Sequence, residues 1–215
     1  MNELVSSPPS APASRLTDRK RVAIIAAAID AFLEAGFDAT SMDRIAALAG
    51  VSKRTVYNHF DSKETLFAAI LRQLWESSVG DSDATFRDDQ PLPTQLSRVL
   101  RNKLRQLNNP AVYSLARVAI AAGIHSPERA RDIIARLGER EEDLTIWIRT
   151  AAAAGRLHVD DIAFASQQLQ SLVKGFAFWP QVTMGQPPLS EMEQERVADA
   201  SAAMFLAQYR TQENT

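Results

Sequence analysis

The sequence predicts an all-α fold: an N-terminal three-helix helix-turn-helix domain over residues 18–66, followed by a larger helical domain over 67–215. Three observations predict it. Apolar residues recur at helical spacing through most of the chain. Two short helical segments meet at a tight turn through Ala49, Gly50, Val51 and Ser52. No stretch of useful length alternates with the two-residue period of a strand.

Composition bounds the rest. The chain has 215 residues, of which 46% are hydrophobic, enough to build a real core. Cysteine is absent, which excludes disulfides and thiolate metal sites. No run approaches the roughly 20 apolar residues of a membrane span, and the N-terminus has no secretory leader pattern. A bacterial cytosolic protein with no membrane partner is expected. The net charge of −2 means that any nucleic-acid reading must rest on where cations sit, since bulk charge does not favour it.

Residues 1–17 open with Ser, Pro and Ala and carry few large apolar side chains, so a disordered tail is expected. Val22, Ile25, Ile29, Phe32 and Leu33 then mark one face of a helix that Gly36 ends. Thr40 or Ser41 caps a short second helix with Met42, Ile45, Ala46 and Ala49 inward. Ser52 caps a third, running from Lys53 to His59. Asp61 and Glu64 have capping-box spacing for a fourth, which continues through Leu66, Phe67, Ile70, Leu71 and Leu74. A polar loop follows over residues 80–93. Further helices are expected near 94–108, 111–123, 127–138, 139–154, 160–179 and 190–210, with the stretch from Pro180 to Pro188 as a connecting loop.

The third helix carries the chemistry. At 100° per residue, Val56 and Phe60 point to the core. The opposite face presents Arg54, Tyr57 and Asn58, with Thr55 beside them and Lys53 and His59 at the flanks. Nearly every exposed side chain there can donate to a phosphate or a base edge. Arg and Asn can pair bidentately with guanine and adenine. Lys53, Arg54 and Lys63 occupy helix first turns, where a cation opposes the helix dipole unless an anion docks. That placement favours phosphate contacts.

The stretch from Arg19 to about Leu71 resembles the DNA-binding domain of the tetracycline-repressor (TetR) family. The residues that carry the likeness are Phe32-Leu33-Glu34-Ala35-Gly36-Phe37, Thr40-Ser41, Ile45-Ala46, Ala49-Gly50-Val51-Ser52, Thr55-Val56-Tyr57-Asn58-His59-Phe60 and Ser62-Lys63-Glu64-Thr65-Leu66. The resemblance implies that Thr40, Tyr57, His59 and Lys63 hold the DNA backbone, and that Arg54, Thr55 and Lys53 face bases. Ser41, Ser52 and Asn58 complete the expected contact set on a double-stranded operator.

The resemblance also implies that the second domain binds a small-molecule effector and forms a homodimer. Aromatic side chains with a few polar anchors suit an effector pocket; the candidates are Trp75, Tyr113, Arg117, His125, Trp147, Phe164, Phe176 and Trp179. The two late helices suit a four-helix interface, with Leu169, Leu172, Phe176, Val197, Ser201, Met204, Phe205 and Gln208 as its candidates. The implied function is a repressor released from its operator by ligand. Dimer half-sites place recognition helices about 35 Å apart, and a ligand that favours another spacing depopulates the DNA-binding form.

An activator of the same fold, or a helical interaction module without DNA binding, are the alternatives. Catalysis is not expected. The three histidines, His59, His125 and His158, lack metal-ligand spacing, and no phosphate-binding loop or nucleophile elbow is present. No metal or cofactor is expected.

Overall fold

The computed structural model describes residues 11–78, 85–137 and 143–211. Eleven helices account for most of them: α1 (Ala11–Ala39), α2 (Met42–Leu48), α3 (Lys53–His59), α4 (Lys63–Ser78), α5 (Leu92–Leu107), α6 (Pro110–His125), α7 (Pro127–Leu137), α8 (Asp143–Ala153), α9 (Ile162–Ala177), α10 (Trp179–Met184) and α11 (Glu191–Tyr209). None is long and apolar enough to cross a membrane. The chain divides into two compact units. One comprises residues 1–70 with 121–136, and the other comprises 71–120 with 137–215.

The first unit is built on α1. Ile24, Ala28, Ala31 and Phe32 are fully buried, whereas Val22 and Leu33 lie exposed. The inward stripe is therefore rotated from the one expected, because small Ala28 and Ala31 occupy the central line. Phe32, Phe37 and Phe67 form an aromatic cluster with ring centroids 5.1–5.5 Å apart. Ile45, Val56, Phe60, Leu66 and Ile70 complete this core. Helical geometry breaks at Gly36, whose φ of 79° is open to glycine. α1 itself begins at Ala11, inside the expected tail; Pro12 falls in its first turn, where the missing N–H costs no hydrogen bond. Residues 1–10 lie outside the described residues. α4 is capped by Ser62, which accepts from the Thr65 amide at 3.1 Å. The capping residue is thus Ser62, one position after the expected Asp61. A helix from far along the sequence, α7, packs with this unit.

The second unit packs around α5, which lies most extensively against α11. Leu96, Leu100 and Leu104 of α5 meet Trp147 and Ile148 of α8, Leu169 and Val173 of α9, and Phe205 and Leu206 of α11. Ala198 and Ala202 on α11 are buried and small, which lets the helices approach closely. Two amide side chains are matched by backbone groups. Gln95, fully buried, accepts from the Arg87 amide at 2.8 Å and donates to the Arg87 and Gln90 carbonyls. Asn108 exchanges two hydrogen bonds with the Leu189 backbone. α11 starts with a capping box from Ser190 and Glu193, and its end is tied back by a bridge between Leu157 and Arg210. The segment expected as a loop after α9 contains α10. Pro180 sits in its first turn and Gly185, at φ 67°, ends it, so both apparent breakers mark helix ends.

Candidate nucleic-acid interface

The turn between α2 and α3 sets the interface. Val51 N–H donates to the Ala46 carbonyl at 3.1 Å and Gly50 N–H to the Ala47 carbonyl at 3.2 Å. This pair of bonds is a Schellman closure, with Gly50 at φ 64° in the left-handed position that closure requires. Ser41 caps α2 by accepting from the Arg44 amide at 3.1 Å. Ser52 caps α3 by accepting from the Thr55 amide at 3.1 Å, and its hydroxyl also meets the Thr55 hydroxyl at 2.8 Å.

α3 is held by Val56 and Phe60, both buried, and the Arg21 guanidinium lies 4.6 Å from the Phe60 ring centroid. Its other face is open. Ser52, Lys53, Arg54, Tyr57 and Asn58 are exposed, while Thr55 and His59 are half-buried at its sides. Lys53 pairs with Asp43 of α2 at 2.9 Å, which links the first turns of α2 and α3. The Asp43 hydrogen bond, and then its charge, hold the Lys53 ammonium above its usual pKa.

Two of the expected contact residues have other partners. Thr40 is 1% exposed, and its hydroxyl lies 3.0 Å from the Ala31 carbonyl and 2.8 Å from that of Gly36. Its side chain braces the end of α1 and faces away from solvent. Lys63 donates to the carbonyls of Phe37 at 2.6 Å and Thr40 at 2.8 Å, with Asp38 at 3.4 Å, and lies over the Phe37 ring. Burial lowers its pKa. Both residues hold the α1–α2 corner that α2 and α3 depend on.

Similarity to known proteins decides the family. The family description "Bacterial regulatory proteins, tetR family" matches residues 24–70. The description "AefR-like transcriptional repressor, C-terminal domain" matches residues 94–211, over half of the chain. The chain belongs to the TetR family. As a TetR-family member it is a DNA-binding transcriptional regulator of helix-turn-helix type. A TetR-family regulator from Pseudomonas syringae pv. tomato is 46% identical, with a TM-score of 0.77 over 91% of this chain and 100% of its own. The regulator RutR of Escherichia coli K12 is 32% identical over 66% of this chain and 68% of its own length. The structure titled "Flavonoid-responsive Regulator FrrA" is 31% identical, with a TM-score of 0.68 over 91% of this chain and 100% of its own.

In this TetR-family regulator the expected effector residues fall in different surroundings. Tyr113 is buried. Its hydroxyl lies 3.0 Å from Asn108 Oδ1 and 3.2 Å from the Ala177 carbonyl, and desolvation pushes its pKa up to about 12. Arg117 donates to the carbonyls of Val182 and Gln181, fixing α6 to α10. Trp147 is fully buried. Phe164 and Phe176 are exposed, because α9 turns Ala165, Leu169, Val173 and Ala177 to the core, and Trp179 at the start of α10 is exposed as well. The side chains of Trp75 and His125 lie outside the described residues. A groove of about 600 Å³ between α5 and α11 is lined by other residues, among them Thr94, Ser97 and an Arg101–Asp199 ion pair at 3.5 Å.

Among the expected interface residues, Leu169, Ser201 and Phe205 are buried within their own chain. Leu172 and Val197 are half-buried, and Phe176, Met204 and Gln208 are exposed. Sequence reading passed over Arg98. Its Nε and Nη2, like Trp147 Nε1, are buried without an acceptor among the described residues. The available signal was α5 itself, which carries Arg98, Arg101, Lys103 and Arg105 and no carboxylate.

Proposed function

We propose that this regulator is a repressor that binds its operator as a homodimer and releases it when a small molecule occupies the second unit. The observation that carries the DNA contact is the open face of α3, where Arg54, Tyr57 and Asn58 are exposed opposite buried Val56 and Phe60. In this reading Arg54 and Asn58 read base edges, with Thr55 and Lys53 beside them. Tyr57, His59, Ser41 and Ser52 meet phosphate oxygens. Thr40 and Lys63 contribute by holding the corner. The match to a repressor C-terminal domain over residues 94–211 supports repression. The likeness to a regulator named as flavonoid-responsive supports response to a small organic molecule. The unmatched donors of Arg98 and Trp147 favour an effector with carbonyl or carboxylate acceptors, since a buried unpaired donor costs about 1–3 kcal/mol. The exposed faces of α9 and α11 supply the dimer contact, and the protein works in the bacterial cytosol.

The test is a fluorescence-anisotropy titration against duplex DNA from upstream of the protein's own gene, with a scrambled duplex beside it. The wild type prefers the upstream duplex. Tyr57→Ala weakens binding to both, whereas Arg54→Ala erodes the preference by about 1–3 kcal/mol. Equal binding of both duplexes by the wild type, unaltered in the two variants, would remove the assigned contact face.

A further inference from the structure

The DNA-binding unit carries a carboxylate beside its contact surface. Asp38 lies three residues before Ser41, so at most about 11 Å of chain separates them. That is close to the Debye length of about 8 Å at physiological salt, so a phosphate near Ser41 feels the Asp38 charge. Three acids of α1 and α2 are closed by cations: Glu34 by Arg44 at 2.9 Å, Asp43 by Lys53 at 2.9 Å, and Asp38 by Arg129 at 2.6 Å. The first two cations belong to the helix-turn-helix. Arg129 stands on α7, 91 residues along the chain from Asp38.

Arg129 is also bound into the corner by a second contact. Its guanidinium lies 5.4 Å from the Phe37 ring centroid, the same ring that Lys63 approaches at 4.4 Å. Lys63 in turn holds the Phe37, Asp38 and Thr40 carbonyls. Without Arg129, the Asp38 carboxylate loses its partner and competes for the nearby Lys63 ammonium.

We propose that Arg129 is a positioning residue for DNA binding. It neutralises Asp38 beside the contact surface and keeps Lys63 on the α1–α2 corner, which makes α7 part of the DNA-binding apparatus. This rests on the reading that Ser41 and the α3 face meet DNA.

The experiment uses the full chain and four variants: Arg129→Ala, Arg129→Lys, Asp38→Asn and the double Arg129→Ala/Asp38→Asn. Each is titrated against the upstream duplex and the scrambled duplex at low and high salt, with Tyr57→Ala as reference. Arg129→Ala weakens both duplexes by about threefold to tenfold at low salt and by less at high salt. The double variant returns to within about twofold of wild type, because removing the acid removes the need for its partner. A purely structural clamp would stay broken in that double variant. Arg129→Lys, which keeps the charge, also stays near wild type. Thermal midpoints change little, as exposed ion pairs contribute little to stability. Wild-type binding by Arg129→Ala overturns the proposal, as does a double variant no better than Arg129→Ala. If Tyr57→Ala keeps full affinity, the contact face fails instead, and that outcome is read independently of the Arg129 series.

Discussion

Tyr113 is a residue whose burial has a measurable consequence. Its phenol stays protonated to about pH 12 in the folded chain, against an ordinary value near 10. Between those values the unfolded chain has released the proton and the folded chain has kept it. The folded state binds more protons, so stability falls as pH rises across that window. The loss reaches about 2–3 kcal/mol by pH 12. Tyr113→Phe lowers stability by about 1 kcal/mol near neutrality through its lost hydrogen bond, and it flattens the alkaline decline. Urea midpoints of both proteins at pH 9 and 11.5 measure this; an identical decline in the variant refutes it. The sequence marked Tyr113 only as an aromatic candidate for an effector pocket. Its acceptors, Asn108 and Ala177, come from its own neighbourhood and from 64 residues away, and only the first is near in sequence. Thr40 and Lys63 follow the same logic. Their residue types suit phosphate, but carbonyls at the end of α1 are nearer. A sequence states what a side chain can bond, and packing selects the partner.

At the scale of the element, α2 and α3 were legible because everything that defines them is local. Each has seven residues, too few to persist alone, so caps and one to three buried side chains decide them. Ser41, Ser52 and Gly50 are caps and a turn that sequence can announce. α10 was hidden for the converse reason: Pro180 and Gly185 read as loop formers until their positions at the two helix ends are known. The exposure of Phe164 and Phe176 on α9 was not legible, because helical spacing separates two faces without saying which is inside when both are apolar. The Ser52 cap gives a test of α3 that separates folding from binding. Ser52→Ala loses the bond to Thr55 and costs about 1 kcal/mol. Ser52→Asp keeps an effective cap, and its charge suits the helix start, so its thermal midpoint stays near wild type. The same carboxylate repels phosphate, so its affinity for duplex DNA falls further than that of Ser52→Ala. A Ser52→Asp variant that binds DNA like wild type would show that Ser52 lies away from the DNA.

At the scale of the whole molecule, the least legible feature is the membership of α7 in the first unit. A boundary drawn along the chain cannot describe two units that each take residues from two stretches of sequence. An ion pair to Asp38, 91 positions away, and a cation–ring contact with the adjacent Phe37 tie α7 to α1. Assembly is the other property of this scale. Intrachain packing claims Leu169, Ser201 and Phe205, and leaves Phe176 and Met204 at 58% and 61% exposure on α9 and α11. A specific dimer buries about 800 Å² per partner around an apolar centre, and large exposed apolar side chains on two long helices suit that centre. Met204→Lys places an ammonium there. Burying it unpaired costs more than the contact returns, so the variant sediments as a monomer at concentrations where wild type is a dimer. The DNA consequence follows from symmetry. Two linked recognition helices bind a palindromic duplex far more tightly than one, because the second contact is intramolecular. Met204→Lys therefore loses affinity for the full operator and keeps the wild-type monomer's weak affinity for a single half-site. A Met204→Lys protein that stays dimeric places the interface elsewhere. A monomeric variant with undiminished operator affinity would instead separate DNA binding from dimerisation.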